Sequence, residues 1–190
     1  LTVNGVSGGG HLSWMAGAAD PRIAVVQPAA GTADVAAHIK YNLQNMHCDC
    51  AYFPNTWRHD WPTLAGIIAP RALLMHNSVG DDYYPPEGYK AVLARAKEIF
   101  GWYGAADKTD MCEAPGPHGY YPPQRERAVE FSSQVLFGRK TKITSRPVKA
   151  VPEEQLGALG GIYAQYPENI NARVHEILLP EARPAQYTST

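Results

Sequence analysis

The chain has 190 residues, 45% of them apolar and 18% charged, and its 17 Lys and Arg against 18 Asp and Glu leave a formal net charge of −1. That composition is enough for a packed core and excludes wholesale disorder, while the missing basic excess argues against a nucleic-acid or anionic-membrane partner. No apolar run approaches the roughly 18 residues that cross a bilayer, and the three cysteines, an odd number, cannot build a disulfide framework.

Leu1–Val6 is a short apolar, partly β-branched run ending on a Gly-Val-Ser turn, and it predicts a strand. Gly8–Ala19, rich in small residues and stopped by Asp20-Pro21, predicts a helix, and Ile23–Gln27 a second, buried strand. Between Gly31 and Asp60 the pattern predicts a helix over Ala33–Tyr41 and then a loop carrying His47-Cys48-Asp49-Cys50. A short helix over Trp61–Ile68 follows, and Arg71–His76 is a third strand. The clearest amphipathic helix spans Pro86–Phe100, with Val92, Ala96 and Ile99 on one face. Thr109–Glu113 predicts a fourth strand. Gln124–Leu136 predicts a last long helix with Ala128, Val129, Phe131, Val135 and Leu136 as its apolar side.

Strands alternating with helices predict an α/β layer fold with a mainly parallel sheet of about four strands. This domain is expected over residues 1–138. From 139 to 190 Lys, Pro and Glu become frequent, the alternation stops, and an appended segment is expected, with short helices over Gln155–Tyr163 and Ile170–Leu178.

The chemistry is carried by Gly5-Val6-Ser7-Gly8-Gly9, a G-x-S-x-G between a predicted strand and a predicted helix. A tight strand-to-helix turn lifts a serine hydroxyl clear of the sheet and strains its backbone, so neighbours without a Cβ are expected. The same turn aims the Gly8 N–H, at the helix N-terminus, toward an oxyanion forming on a bound carbonyl. Such a serine needs a base and an orienting acid, which this motif's context supplies in the order Ser, Asp or Glu, His. The third strand runs into Gly80-Asp81-Asp82, and the fourth into Pro115-Gly116-Pro117-His118-Gly119. Ser7, Asp81 and His118 would each follow a different parallel strand and meet at one sheet edge. Adjacent side chains point apart, so only one of Asp81 and Asp82 can face the imidazole; Asp81 is assigned, with Asp82 as the alternative.

Trp57, Trp61, Tyr83, Tyr84 and Tyr120 fall in segments near the strand ends. Their amphipathic rings suit a pocket wall that packs on sugar faces, and equally suit plain loop anchoring. No metal is expected: His47-Cys48-Asp49-Cys50 has ligand residue types without the two to four residues that usually separate zinc-binding cysteines. A disulfide between Cys48 and Cys50 would close a strained small ring. The remaining histidines His11, His38, His59 and His76 read as helix, surface or core residues.

These motifs resemble the C-terminal half of an α/β-hydrolase, and in particular the acetyl xylan esterase and prolyl-oligopeptidase-like carbohydrate esterases. The likeness rests on G-V-S-G-G-G-H at Gly5–His11, H-C-D-C at His47–Cys50, N-T-W-R-H-D-W at Asn55–Trp61, A-P-R-A-L-L at Ala69–Leu74, D-x-x-x-P at Asp81–Pro85 and G-P-H at Gly116–His118. It covers the first three-quarters of the chain. The resemblance implies a secreted or periplasmic serine esterase that removes acyl, above all acetyl, groups from plant polysaccharides without a cofactor. Glucuronoyl esterases are near relatives that typically carry a basic residue after the nucleophile, where Gly8 stands here.

In that fold the loop giving a second oxyanion N–H, and the strands beside the nucleophile strand, lie upstream. Leu1–Val6 is therefore expected to carry an unpaired backbone edge that takes an N-terminal half of the fold or another chain. Lacking one oxyanion donor is expected to cost about 10²–10³ in turnover. The competing expectation is a non-catalytic hydrolase half serving as a structural or oligomerisation module through that edge.

Overall fold

The computed structural model describes residues 1–43, 46 and 58–156. Four strands form one fully parallel sheet in chain order: β1 (Thr2–Val6), β2 (Val25–Ala29), β3 (Ala72–Ser78) and β4 (Thr109–Ala114). Helices α1 (Gly8–Ala19), α2 (Val35–Lys40), α3 (Trp61–Ile68), α4 (Pro86–Trp102) and α5 (Pro122–Phe137) connect and cover them. The elements match the sequence expectations closely, with β2 shifted two residues toward the C-terminus and α5 beginning at Pro122. Pro122 and Pro123 open α5 at positions where a missing N–H costs nothing, and Gln124 caps it by accepting from the Tyr121 N–H at 2.8 Å.

The sheet is buried on both faces at its centre because side chains alternate. On one face Val26, Leu73 and Met75 pack with Trp14 of α1, Ala65 and Ile68 of α3, and Tyr89, Val92, Ala96 and Phe100 of α4. On the other, Val25, Ala72 and Leu74 pack against Phe131 of α5. β2 and β3 are consequently buried at every position.

The α5 face departs from expectation. Gln124, Ala128 and Phe131 are its buried side chains, whereas Val129, Val135 and Leu136 are exposed. A single helix laid on a sheet buries one stripe, and Gln124-Ala128-Phe131 at i, i+4, i+7 is that stripe. Polar ties do the rest: Gln27 Nε2 donates to Ser132 Oγ at 2.8 Å, and Gln124 Nε2 to the Asn77 carbonyl at 2.8 Å.

His76, on the α5 side of β3, is fully buried, and neither ring nitrogen reaches a hydrogen-bond partner among the described residues. Burial first, and the Arg127 charge second, push its pKa down to about 4, so the ring is held neutral at neutral pH.

The first compact unit runs from Leu1 to Arg146. The residues after α5 run back along it: Glu130 Oε1 accepts from the Ile143 N–H at 2.9 Å and Glu126 Oε1 from the Ser145 N–H at 2.7 Å. Pro147–Thr190 is a separate unit whose described part contains one helical turn, α6 (Glu153–Leu156). The helix expected over Gln155–Tyr163 lies mostly, and that over Ile170–Leu178 wholly, outside the described residues. No helix among the described residues is long and apolar enough to cross a membrane.

Candidate active site

The parallel sheet puts the carboxyl ends of all four strands on one side, the side where ligands bind in open α/β sheets. Ser7 follows β1 directly, Asp81 lies three residues past the end of β3, and His118 four past the end of β4. All three sequence candidates therefore converge on that edge.

Ser7 occupies the turn from β1 into α1 with φ 58° and ψ −118°, a backbone conformation that non-glycine residues adopt only where the surroundings enforce it. Those surroundings are visible. The Ser7 N–H donates to the Ala29 carbonyl at 2.9 Å, and the Ser7 carbonyl accepts from the His11 N–H at 3.1 Å. Gly5 is indispensable to the turn: a Cβ built there would stand 2.4 Å from the Gly9 carbonyl oxygen. Gly9, although part of the motif, has open space around its would-be Cβ. Gly8 is the first residue of α1, so its N–H has no partner within the helix and stands at the positive end of the helix dipole.

The loops after β3 and β4 zip together beyond the sheet. The Val79 N–H donates to the Ala114 carbonyl at 3.1 Å and the Gly80 N–H to the Gly116 carbonyl at 3.0 Å. Tyr121 Oη donates to the Pro117 carbonyl at 3.0 Å, fixing the loop that carries His118. The result is a hydrogen bond of 2.9 Å from His118 Nδ1 to Asp81 Oδ2. The other carboxylate oxygen accepts from the Tyr83 N–H at 2.9 Å and the Tyr84 N–H at 3.2 Å. Asp81 is thus a buried carboxylate satisfied by three donors, while Asp82 is exposed. The His118 side chain keeps 26% exposure, which leaves the imidazole reachable. Among the described residues no hydrogen bond joins Ser7 Oγ to His118.

The aromatic candidates separate in space. Tyr83 lies half-buried beside His118, with ring centroids 4.8 Å apart. Tyr84 is 1% exposed and stacks on His118 at 5.7 Å with 27° between planes. Trp61 is buried and stacks on His11 at 5.0 Å and 14°. Tyr120 turns to the α5 face, edge-on to His76 at 5.4 Å, and its hydroxyl accepts from Asn4 Nδ2 at 3.2 Å. Trp57, with His47-Cys48-Asp49-Cys50, lies outside the described residues. Among the described residues no group of His, Cys, Asp and Glu is arranged to hold a metal ion.

His11 is the residue whose place the sequence did not announce. It sits at i+4 from Ser7, buried on the nucleophile helix, with Nε2 3.2 Å from the Tyr84 hydroxyl. The i+4 spacing puts it on the same side of the turn as Ser7, and that was the legible signal.

Neither a protein-family model nor a curated relative matches this sequence. Solved structures do. A glucuronoyl esterase from Sporotrichum thermophile superposes with a TM-score of 0.63 at 19% identity, covering 86% of this chain and 51% of its own. The fold is that of the α/β-hydrolases. A family 15 carbohydrate esterase, a glucuronoyl esterase from Caldicellulosiruptor kristjansonii, gives a TM-score of 0.57 at 23% identity over 79% of this chain and 47% of its own. The methylesterase BT1017 gives 0.51 at 19% identity over 91% and 41%. The present chain spans about half the length of these α/β-hydrolase neighbours. In this chain Ser7, Asp81 and His118 follow β1, β3 and β4 respectively.

Proposed function

We propose that this chain carries the catalytic residues of a serine esterase acting on acylated carbohydrate. The observation that supports it most is the Asp81–His118 hydrogen bond, formed at the same sheet edge where Ser7 stands in a strained turn. Ser7 Oγ attacks the ester carbonyl carbon while His118 Nε2 takes its proton. Asp81 holds the imidazole in the tautomer that leaves Nε2 free to do so. The Gly8 N–H donates to the oxyanion of the tetrahedral intermediate. Collapse expels the sugar alcohol with the proton from His118 and leaves an acyl-Ser7. Water, deprotonated by His118, then attacks this ester and restores Ser7.

The neighbours are described as glucuronoyl esterases, one of them a family 15 carbohydrate esterase, and a methylesterase; a mutant of the Sporotrichum thermophile enzyme was solved with methyl 4-O-methyl-β-D-glucopyranuronate. For this chain Gly8 stands where glucuronoyl esterases typically carry a basic residue, which favours an acetyl ester over a uronate ester. The test is a panel of acetylated xylan, a nitrophenyl acetate and a methyl glucuronate, assayed on the full-length protein and its Ser7→Ala variant. Acetyl release at least tenfold faster than methanol release, and lost in Ser7→Ala, is the expected result. Faster methanol release assigns the site to uronate esters, and activity that survives Ser7→Ala ends the serine mechanism.

A specific observation favours a partner at β1. Its outer backbone edge has no paired strand among the described residues, and its side chains alternate exposed and half-buried beside the fully buried β2. An apolar edge of this kind pairs with a further strand, from the N-terminal half of the fold or from another chain. With such a strand in place the chain is an enzyme; a chain that only assembles through this edge, without turnover, is the non-catalytic alternative. The same assays separate the two.

A further inference from the structure

Three buried rings, Trp61, His11 and Tyr84, and the half-buried His38 form a continuous wall beside His118. Trp61 stacks on His11 at 5.0 Å, and Tyr84 meets His11 edge-on at 5.6 Å and 75°. Tyr84 then lies against His118 at 5.7 Å in an offset, nearly parallel stack, within the range where aromatic pairs attract. His38 closes the wall from α2, edge-on to Tyr84 at 6.0 Å, and burial pushes its pKa down. Tyr84 joins the acid, the base and the nucleophile helix: its N–H donates to Asp81 Oδ1 at 3.2 Å, its ring stacks on His118, and its hydroxyl lies 3.2 Å from His11 Nε2. His11 in turn belongs to the nucleophile helix, and its own N–H holds the Ser7 carbonyl at 3.1 Å.

We infer that Tyr84 is a positioning residue of this site, its buried ring setting the plane of His118 and its hydroxyl tying the acid-bearing loop to the nucleophile helix through His11. The inference rests on the Ser7–His118–Asp81 reading. Its physical content is that the acid and base reside on the loops after β3 and β4, whereas the nucleophile resides on the turn after β1. Backbone hydrogen bonds zip the first two loops to each other, and among the described residues none joins either loop to α1. The Tyr84–His11 contact makes that second connection with side chains that are both almost fully buried, so neither can relax to water if the link is cut. A misplacement of His118 by a fraction of an ångström lengthens the proton path from Ser7 Oγ, and turnover falls without substrate affinity changing.

Tyr84→Phe removes the hydroxyl and keeps the ring. Assayed on the full-length protein with nitrophenyl acetate, it is expected to lower kcat about five- to tenfold. KM should stay within about twofold and the melting temperature within about 2 °C, limits set by the small size of the deletion. His11→Phe, which keeps the stack on Trp61, should give a similar loss, and the double variant should be no worse than either single one because both cut the same link. A Tyr84→Phe enzyme with the parent's kcat, or one whose loss tracks a loss of folded protein, overturns the assignment. Ser7→Ala, run alongside, separates the two levels. If it retains turnover the triad reading fails; if it is inactive while Tyr84→Phe matches the parent, the Tyr84 assignment alone fails.

Discussion

Asp81→Asn should lower kcat for ester hydrolysis about 10⁴-fold while leaving the melting temperature near that of the parent. Asn can still accept from the Tyr83 and Tyr84 N–H groups, so the turn after β3 survives. What changes is the atom facing His118. An amide NH₂ in place of Oδ2 donates toward Nδ1, and Nδ1 must become an acceptor with its proton moved to Nε2. A ring protonated at Nε2 cannot take a proton from Ser7, and the first step stops. Asp82→Asn is the control, since Asp82 is exposed and makes no contact with the imidazole among the described residues; its kcat should stay within about twofold of the parent. Equal losses in the two variants, or a loss under about tenfold for Asp81→Asn, would remove Asp81 as the orienting acid.

The second large effect is structural. Gly5→Ala puts a Cβ 2.4 Å from the Gly9 carbonyl oxygen and 2.6 Å from its carbon, and both are backbone atoms that no rotamer change can move. The turn that presents Ser7 has to open, at a cost of about 3 kcal/mol or more. Gly9→Ala, by contrast, meets nothing within 4 Å. At a helical position Ala is favoured over Gly by up to about 1 kcal/mol, so this variant should be as stable as the parent or more so. Urea unfolding of the two variants measures the difference directly. The order Gly9→Ala above Gly5→Ala is required; the reverse order means that the turn is not packed as described.

The contrast between these two glycines shows what the sequence could and could not convey. G-x-S-x-G between a strand and a helix was readable as a nucleophile turn, because the motif and its context appear together in the linear chain. Which glycine is sterically required depends on the approach of α1 to the end of β1, and that is a three-dimensional fact. The same holds for α5. Its apolar residues were readable, but that only Ala128 and Phe131 among them are buried follows from one helix lying over β2–β4. The elements themselves were legible nearly to the residue where capping and breaking residues are strong, as at Asp60 before α3 and Pro85-Pro86 before α4.

The candidate triad was legible for a related reason. In a parallel α/β sheet every residue just past a strand faces the same edge, so the order of strands in the sequence already sorts Ser7, Asp81 and His118 together. The inner wall was not. Trp61 and Tyr84 read as aromatic residues near strand ends, suited to touching substrate. Their burial, their stacking on His11 and His118, and the pairing of Tyr84 with His11 depend on contacts between residues up to about seventy positions apart. No local pattern reports such a contact.

The most direct test of the central claim is covalent. The full-length protein, treated with a serine-directed fluorophosphonate and digested with trypsin, should yield one modified peptide, the one that contains Ser7 and ends at Arg22, with the adduct on Ser7. Prior conversion of His118 to Ala should slow the labelling at least about 10³-fold, because the attacking hydroxyl then has no base. An unmodified Ser7 under conditions that label other serine hydrolases, or an adduct on a different serine, would contradict the account.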